Sequence, residues 1–380
     1  MRKRNCQKLK GFIALSKYYS LKKINSKNAL YNVIIGQRSN GKTYSVIEQA
    51  IIDYFKNGNR LAYIRRFKED LTPRNIGELL TPHMKTIEKL SKGRWNSIKY
   101  YNREFWFCVR GESGGIVEQA ETSIIKCFSL NTWESAKGAD NGFFKTVLFD
   151  EFLTRQFYLH NEFIIFTQLL SSIIRDRDGT TIYMLANTVN KYCPYFAEMG
   201  LFNVEKMEQG TIDVYQFGDS ELKIAVEYCA ESEATKKINK YFAFDNPRLQ
   251  MVTKGTWEID NYPHCPVQYK PDEVVQHCFI EFNGTLVHGE IVRCLDDMRQ
   301  KHLFVFFYIQ TKPIDTRTIK VLYTDKADSN ILHCTSVQNA PTKAHELFIN
   351  LIRTHNDFYN TNETGEVVRN WKMENGILTH

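Results

Sequence analysis

The octapeptide GQRSNGKT, Gly36 to Thr43, restricts the fold of this chain more than any other stretch. It fits G-x-x-x-x-G-K-[ST] at every fixed position, follows the apolar run NVIIG, and precedes YSVIEQAIIDYF, whose apolar residues recur at helical spacing. Strand, glycine-bounded loop and helix in that order form a cradle for polyphosphate. Loop N–H groups and the positive end of the helix face the anion, Lys42 reaches the β/γ oxygens, and Thr43 offers a hydroxyl to Mg²⁺. The pattern therefore assigns Gly36, Gln37, Arg38, Ser39, Asn40, Gly41, Lys42 and Thr43 to nucleotide binding.

A second half-site lies about a hundred residues on. FFKTVLFDEF, residues 143–152, reads as an apolar strand ending in two carboxylates. In a P-loop fold the Asp at such a strand end stands beside the loop Thr and holds Mg²⁺, a role that falls to Asp150. Glu151 is then positioned to polarise a water for attack on the γ-phosphate of ATP. The next apolar strand, TTIYMLAN, residues 180–187, ends in Asn187, at a position that senses the γ-phosphate. Arg175 and Arg177 end the helical segment before that strand. Arginine there either stabilises the charge that develops in phosphoryl transfer, in cis or from a neighbouring subunit, or complements a helix dipole.

Apolar strands alternating with helices (59–67, 143–152, 160–175, 180–187) predict a parallel sheet with helices on both faces. Around them, residues 68–125 read as a polar helix followed by β-hairpin material. Near residue 200 the composition shifts to a charged connector, and from about 270 it becomes β-rich, with a helix in TKAHELFINLIRTHNDFY. The expected division is an ATPase domain with a basic arm over 1–200, a linker over 201–265, and a smaller α/β domain over 266–380. Residues 1–200 hold 31 Lys and Arg against 18 Asp and Glu, while the rest holds 19 against 25, and eleven basic residues precede the first acid, Glu48. A polyanionic partner for the front half follows. Apolar stretches such as HLFVFFYI are strand-length, so no membrane span is expected, and the broken apolar centre of the N-terminus does not fit a signal peptide. Nine cysteines without a C-x-x-C pair suit a reducing compartment. The pairs His264-Cys265 and His277-Cys278 offer zinc-ligand chemistry, but not the usual spacing, and read as packing residues.

Taken in order, VIIGQRSNGKTYS, LAYIRRFK, WESAKG, TVLFDEF, IIRDRD and LANTVNKYCPYF resemble the DNA-packaging ATPases, or encapsidation proteins, of phi-twenty-nine-like tailed bacteriophages, relatives of the large terminase motors. The likeness covers residues 30–200 well, and the C-terminal half only through FNGTLVHG and VVRNWKMENGIL. It implies a terminase-type, additional-strand P-loop NTPase joined to a vestigial RNase H-like nuclease. Lys42 and Thr43 would bind phosphates and Mg²⁺, Asp150 the metal, and Glu151 would be the base. Arg175 falls on the trans-acting arginine finger, Lys137 on an interface lysine, and Arg38 on the arginine often found inside such loops. The resemblance also implies a homomeric ring, typically a pentamer, in the host cytoplasm. The ring would dock transiently on the portal, or connector, of an empty procapsid and drive double-stranded DNA inward, and use of a packaging RNA stays open. Glu281, Asp325 and Asp328 fall near strand ends of the nuclease-like region. Three carboxylates converging on two metals would instead make a full terminase with an active nuclease. An NTPase without a DNA track is the other alternative.

Overall fold

The computed structural model describes residues 19–136, 142–175, 177–218, 220–232, 255–315, 318–326 and 328–377. Two compact units emerge. The first comprises the chain up to Leu153 with Ile164–Thr188 and Asn203–Thr256; the second comprises Thr154–Phe163, Val189–Phe202 and the chain from Trp257. Residues 154–163 and 189–200 of the 1–200 stretch, with 201–202 of the expected linker, thus group with the C-terminal unit.

The first unit is built on a ten-stranded sheet: β1 (Tyr31–Gly36), β2 (Arg60–Arg65), β3 (Ser97–Tyr101), β4 (Glu104–Arg110), β5 (Ile116–Gln119), β6 (Ile125–Ser129), β7 (Phe144–Asp150), β8 (Thr181–Asn187), β9 (Thr211–Gln216) and β10 (Lys223–Tyr228). Its order is β3-β4-β6-β2-β7-β8-β1-β10-β9, with β5 on β4. The six strands from β6 to β10 run parallel, while β3, β4, β5 and β9 pair antiparallel at the margins. Successive residues of β1, β2 and β8 are buried, so both faces of the sheet are covered, which is why these strands read as unbroken apolar runs. Strand β8 lies between β1 and β7, the arrangement that defines an additional-strand sheet. Helix α1 (Lys42–Asn57) buries Val46, Ile47, Ala50 and Ile51 and ends at Gly58 in the left-handed region, whose N–H donates to the Tyr54 carbonyl. Helix α2 (Glu162–Ile174) buries Phe166, Leu169, Leu170 and Ile173, an i, i+3, i+4, i+7 stripe, with Phe166 5.2 Å from the Phe149 ring.

The expected linker is structured in part. Residues 211–228 add β9 and β10 to the sheet, because KIAVEY buries five of its six residues against β1. Its charged stretch at 233–254 lies outside the described residues.

The second unit carries β11 (Val274–Phe282), β12 (Thr285–Leu295), β13 (Lys301–Ile309), β14 (Leu322–Tyr323), β15 (His333–Cys334) and β16 (Asp357–Tyr359) in the order β15-β14-β11-β12-β13-β16. Strands β11, β12 and β13 form an antiparallel meander, whereas β14 runs parallel to β11, β15 to β14, and β16 to β13. The turn between β11 and β12 is Asn283-Gly284, both at positive φ, the two-residue hairpin that Asn-Gly favours. Helices α3 (Lys343–Arg353) and α4 (Asn362–Glu374) start at Thr342 and Thr361, whose hydroxyls accept from the N–H groups of His345 and Thr364. Their Phe348, Ile352 and Trp371 share a core with Ile280, Val305 and Phe307.

Candidate functional site

Strand β1 ends where the backbone must turn closely past a neighbour. A Cβ on Gly36 would lie 2.9 Å from the Cβ of Cys229, so this position accepts only glycine without a shift of the loop or of Cys229. From there Gln37 and Asn40 turn inward and are buried, while Arg38 and Ser39 are exposed. Gly41, at φ 92, starts α1 in the left-handed region. The Asn40 side chain accepts from the Lys42 N–H at 3.2 Å. The Lys42 ammonium donates to the carbonyls of Gln37 (2.7 Å) and Gly36 (3.3 Å) and to Oδ1 of Asn187 (3.3 Å). Burial lowers its pKa to about 8, against the opposing pull of Cys229 and Asp150.

The sheet register brings the second half-site alongside. Asp150 pairs with Leu185 and Gly36 with Asn187, so the ends of β1, β8 and β7 lie together. The Thr43 hydroxyl stands 3.1 Å from Oδ1 of Asp150, and the buried Tyr63 hydroxyl donates to Oδ2 at 3.0 Å. Burial raises the Asp150 pKa above the usual carboxylate value, although Arg65 and the hydroxyls of Tyr63 and Thr43 act against it. Glu151 is exposed at φ 60, a left-handed conformation uncommon outside glycine, and its carboxylate accepts from Arg65 at 2.6 Å. Arg66 donates to the Glu151 and Phe152 carbonyls, at 3.3 and 2.6 Å, and so fixes this turn.

The site therefore unites Lys42, Thr43, Asp150 and Asn187, with Glu151 at its edge. Tyr63 and Arg65 were given no role by the sequence reading. Their available signal was a pair of arginines closing the apolar strand LAYIRR, at the end of a parallel strand where ligands gather. Arg175 is not brought in. It follows α2 at φ 49, before β8 begins, whereas the P-loop sits where β8 ends. Arg177 belongs to the same connection. Lys137 lies outside the described residues.

In the second unit, Cys278 is fully buried while its neighbour His277 is exposed, because adjacent strand residues face opposite ways, so the pair cannot chelate one ion together. His264 Nδ1 lies 3.0 Å from the Tyr359 carbonyl. Glu281 accepts from the Thr324 hydroxyl and pairs with Lys326. Among the described residues, Glu281, Asp325 and Asp328 do not form a group that could share a metal ion.

Fold and site define an additional-strand α/β protein whose glycine-bounded loop holds a buried lysine beside a threonine–aspartate contact and a following glutamate. The family model described as Podovirus DNA encapsidation protein (Gp16) matches residues 13–241, and the chain belongs to that family. A DNA packaging protein of Bacillus phage B103 is 26% identical over 179 residues, which are 46% of this chain and 50% of the relative. One from Bacillus phage phi29 is 24% identical over 225 residues, 58% of this chain and 60% of the relative. The chain thus spans about half to three fifths of the length of the curated relatives it matches. Among solved structures, the Phi-28 gp11 DNA packaging motor aligns with 96% of this chain and 100% of its own at 16% identity and a TM-score of 0.52. The Phi-29 viral genome packaging motor assembly aligns with 94% of this chain and 98% of its own at 19% identity and 0.50, a likeness of fold.

Proposed function

We propose that this protein is an ATP-driven motor that moves double-stranded DNA through a portal into a preformed capsid. The carrying observation is the Thr43–Asp150 contact beside the buried Lys42 in a member of an encapsidation family. A hydroxyl and a carboxylate side by side are the hard oxygen donors that suit Mg²⁺, so Thr43 and Asp150 are the residues to hold it. Bound there, the ion would neutralise charge on the phosphate oxygens. Lys42 neutralises the terminal phosphates, the N–H groups of the loop and the start of α1 cradle them, and Asn187 orients Lys42. Glu151 is the base that takes the proton of the attacking water, and Arg65 sets where its carboxylate points.

Arg175 acts on a neighbouring subunit's nucleotide in a homomeric ring, taken here as a pentamer, and Lys137 belongs to that interface. The ATPase and C-terminal domains carry over with this reading, with 211–228 of the expected linker counted in the ATPase sheet and 154–163 and 189–202 with the C-terminal unit. The mixed sheet of the second unit, with its antiparallel meander extended beside β11 by β14 and then β15, each parallel to its neighbour, supports an RNase H-like origin. The Lys326 ammonium on Glu281 favours a domain without nuclease chemistry. Work takes place in the host cytoplasm, at the portal of a procapsid. The test is ATP hydrolysis by the purified chain with procapsids and long duplex DNA. Stimulation that requires both is expected, and turnover indifferent to DNA would favour an NTPase without a track.

A further inference from the structure

Away from the nucleotide site, the outward face of the meander gathers chemistry that the packaging reading does not use. His277 on β11 stands opposite Glu290 on β12, and His288 precedes Glu290 by two residues, so all three side chains share one face. The opposite face holds Cys278, Ile280 and Val287 in the core. One ligand atom from each of His277, His288 and Glu290 lies within 4.8 Å of the others. We propose that these residues form a binding site for a divalent transition metal, with zinc the ion its two imidazoles and one carboxylate suit best.

The surroundings are arranged as a metal site needs. Nε2 of His288 lies 2.9 Å from Nδ1 of His277, and a single proton bridges them. An ion replacing that proton needs the two nitrogens roughly 3.3 Å apart, the edge of a tetrahedron with bonds of about 2.0–2.1 Å, a small opening for an exposed His277. The Tyr308 hydroxyl lies 2.6 Å from the other nitrogen of His288 and donates to Oε1 of Glu290 at 3.0 Å. Accepting the Nδ1–H fixes the tautomer that leaves Nε2 free to ligate. Tyr269 donates to Oε2 of Glu290 at 2.7 Å, and Phe279 stacks on His288 at 4.3 Å. Each buried-side ligand thus has an outer partner that orients it. Imidazole donors disfavour Mg²⁺ and Ca²⁺, which take oxygen. The exposure of His277 leaves further coordination positions to water.

Cobalt(II) is the probe. The full-length, nucleotide-free protein is titrated with Co²⁺ in excess Mg²⁺, which occupies oxygen-only sites. One Co²⁺ per chain is expected, with the visible d–d bands of low-coordinate cobalt, no thiolate charge-transfer band, and displacement by one equivalent of Zn²⁺. His277→Ala and His288→Ala should each weaken binding at least about tenfold, and Tyr308→Phe by about 10–100-fold, with circular dichroism unchanged. Asp150→Asn should bind cobalt as the parent does. No bound cobalt in the folded parent, a thiolate band, or parental affinity in both histidine variants would overturn the site.

Discussion

Lys42 holds its charge where burial disfavours it, and this sets a pH dependence. With its pKa at about 8, the ammonium proposed to meet the phosphates is lost as pH rises past that value. ATP affinity should hold between pH 6.5 and 7.5 and fall about tenfold one unit above the pKa, read from nucleotide titrations at each pH. Lys42→Arg, which keeps its charge, should give a flat profile. For stability the sign is opposite. The unfolded lysine keeps its proton up to about 10.5, so the unfolded chain binds more protons between the two values, and the contribution of this group to stability rises with pH across that window. Glu151→Gln should bind ATP near the parental affinity while turnover falls at least about a hundredfold, in keeping with loss of a general base. Turnover near the parent's would remove the assignment. The motif residues were readable because each is named by a fixed spacing. Tyr63 and Arg65 were not, because their closeness to Asp150 and Glu151 comes from pairing between β2 and β7, some 85 residues apart in the chain.

At the scale of elements, legibility followed periodicity. The unbroken apolar strands β1, β7 and β8, the stripe on α2 and the Asn-Gly hairpin of β11 and β12 each carry a local signature. Strands β9 and β10 do not: TIDVYQ is half exposed at a sheet margin, and the charged sequence beyond them hides the boundary. Yet β10 governs the P-loop, because Cys229, just past its end, packs on Gly36. Gly36→Ala should therefore cost about 1–3 kcal/mol of stability by overpacking and weaken ATP binding, measured by denaturant unfolding and nucleotide titration. Cys229→Gly in the same chain removes the opposing Cβ and should restore part of both. If the second change restores neither, the contact with Cys229 is not what requires glycine at position 36.

At the scale of the whole molecule, the topology sets Arg175 and the P-loop of its own chain at opposite ends of β8. Seven residues of β8 separate the end of the sheet where Arg175 lies from the end where Asn187 meets Lys42, about 20 Å at strand rise, which is more than an arginine side chain spans. In cis it could at most complete the end of α2. Supplied by a neighbour, it can meet charge developing on the γ-phosphate, an effect worth about 10³-fold or more in rate. Hydrolysis would then depend on an adjacent subunit, as ordered firing around a ring demands. Arg175→Ala and Lys42→Ala proteins should each be inactive, and mixing them should return part of the ATPase activity, because some interfaces then join an intact P-loop to an intact arginine. The same mixture made with Lys42→Ala/Arg175→Ala in place of the Arg175→Ala protein should stay silent. If no ratio of the single variants restores hydrolysis while sedimentation shows mixed assemblies, Arg175 acts on its own subunit through α2, and the conditional firing of the ring must rest on other residues.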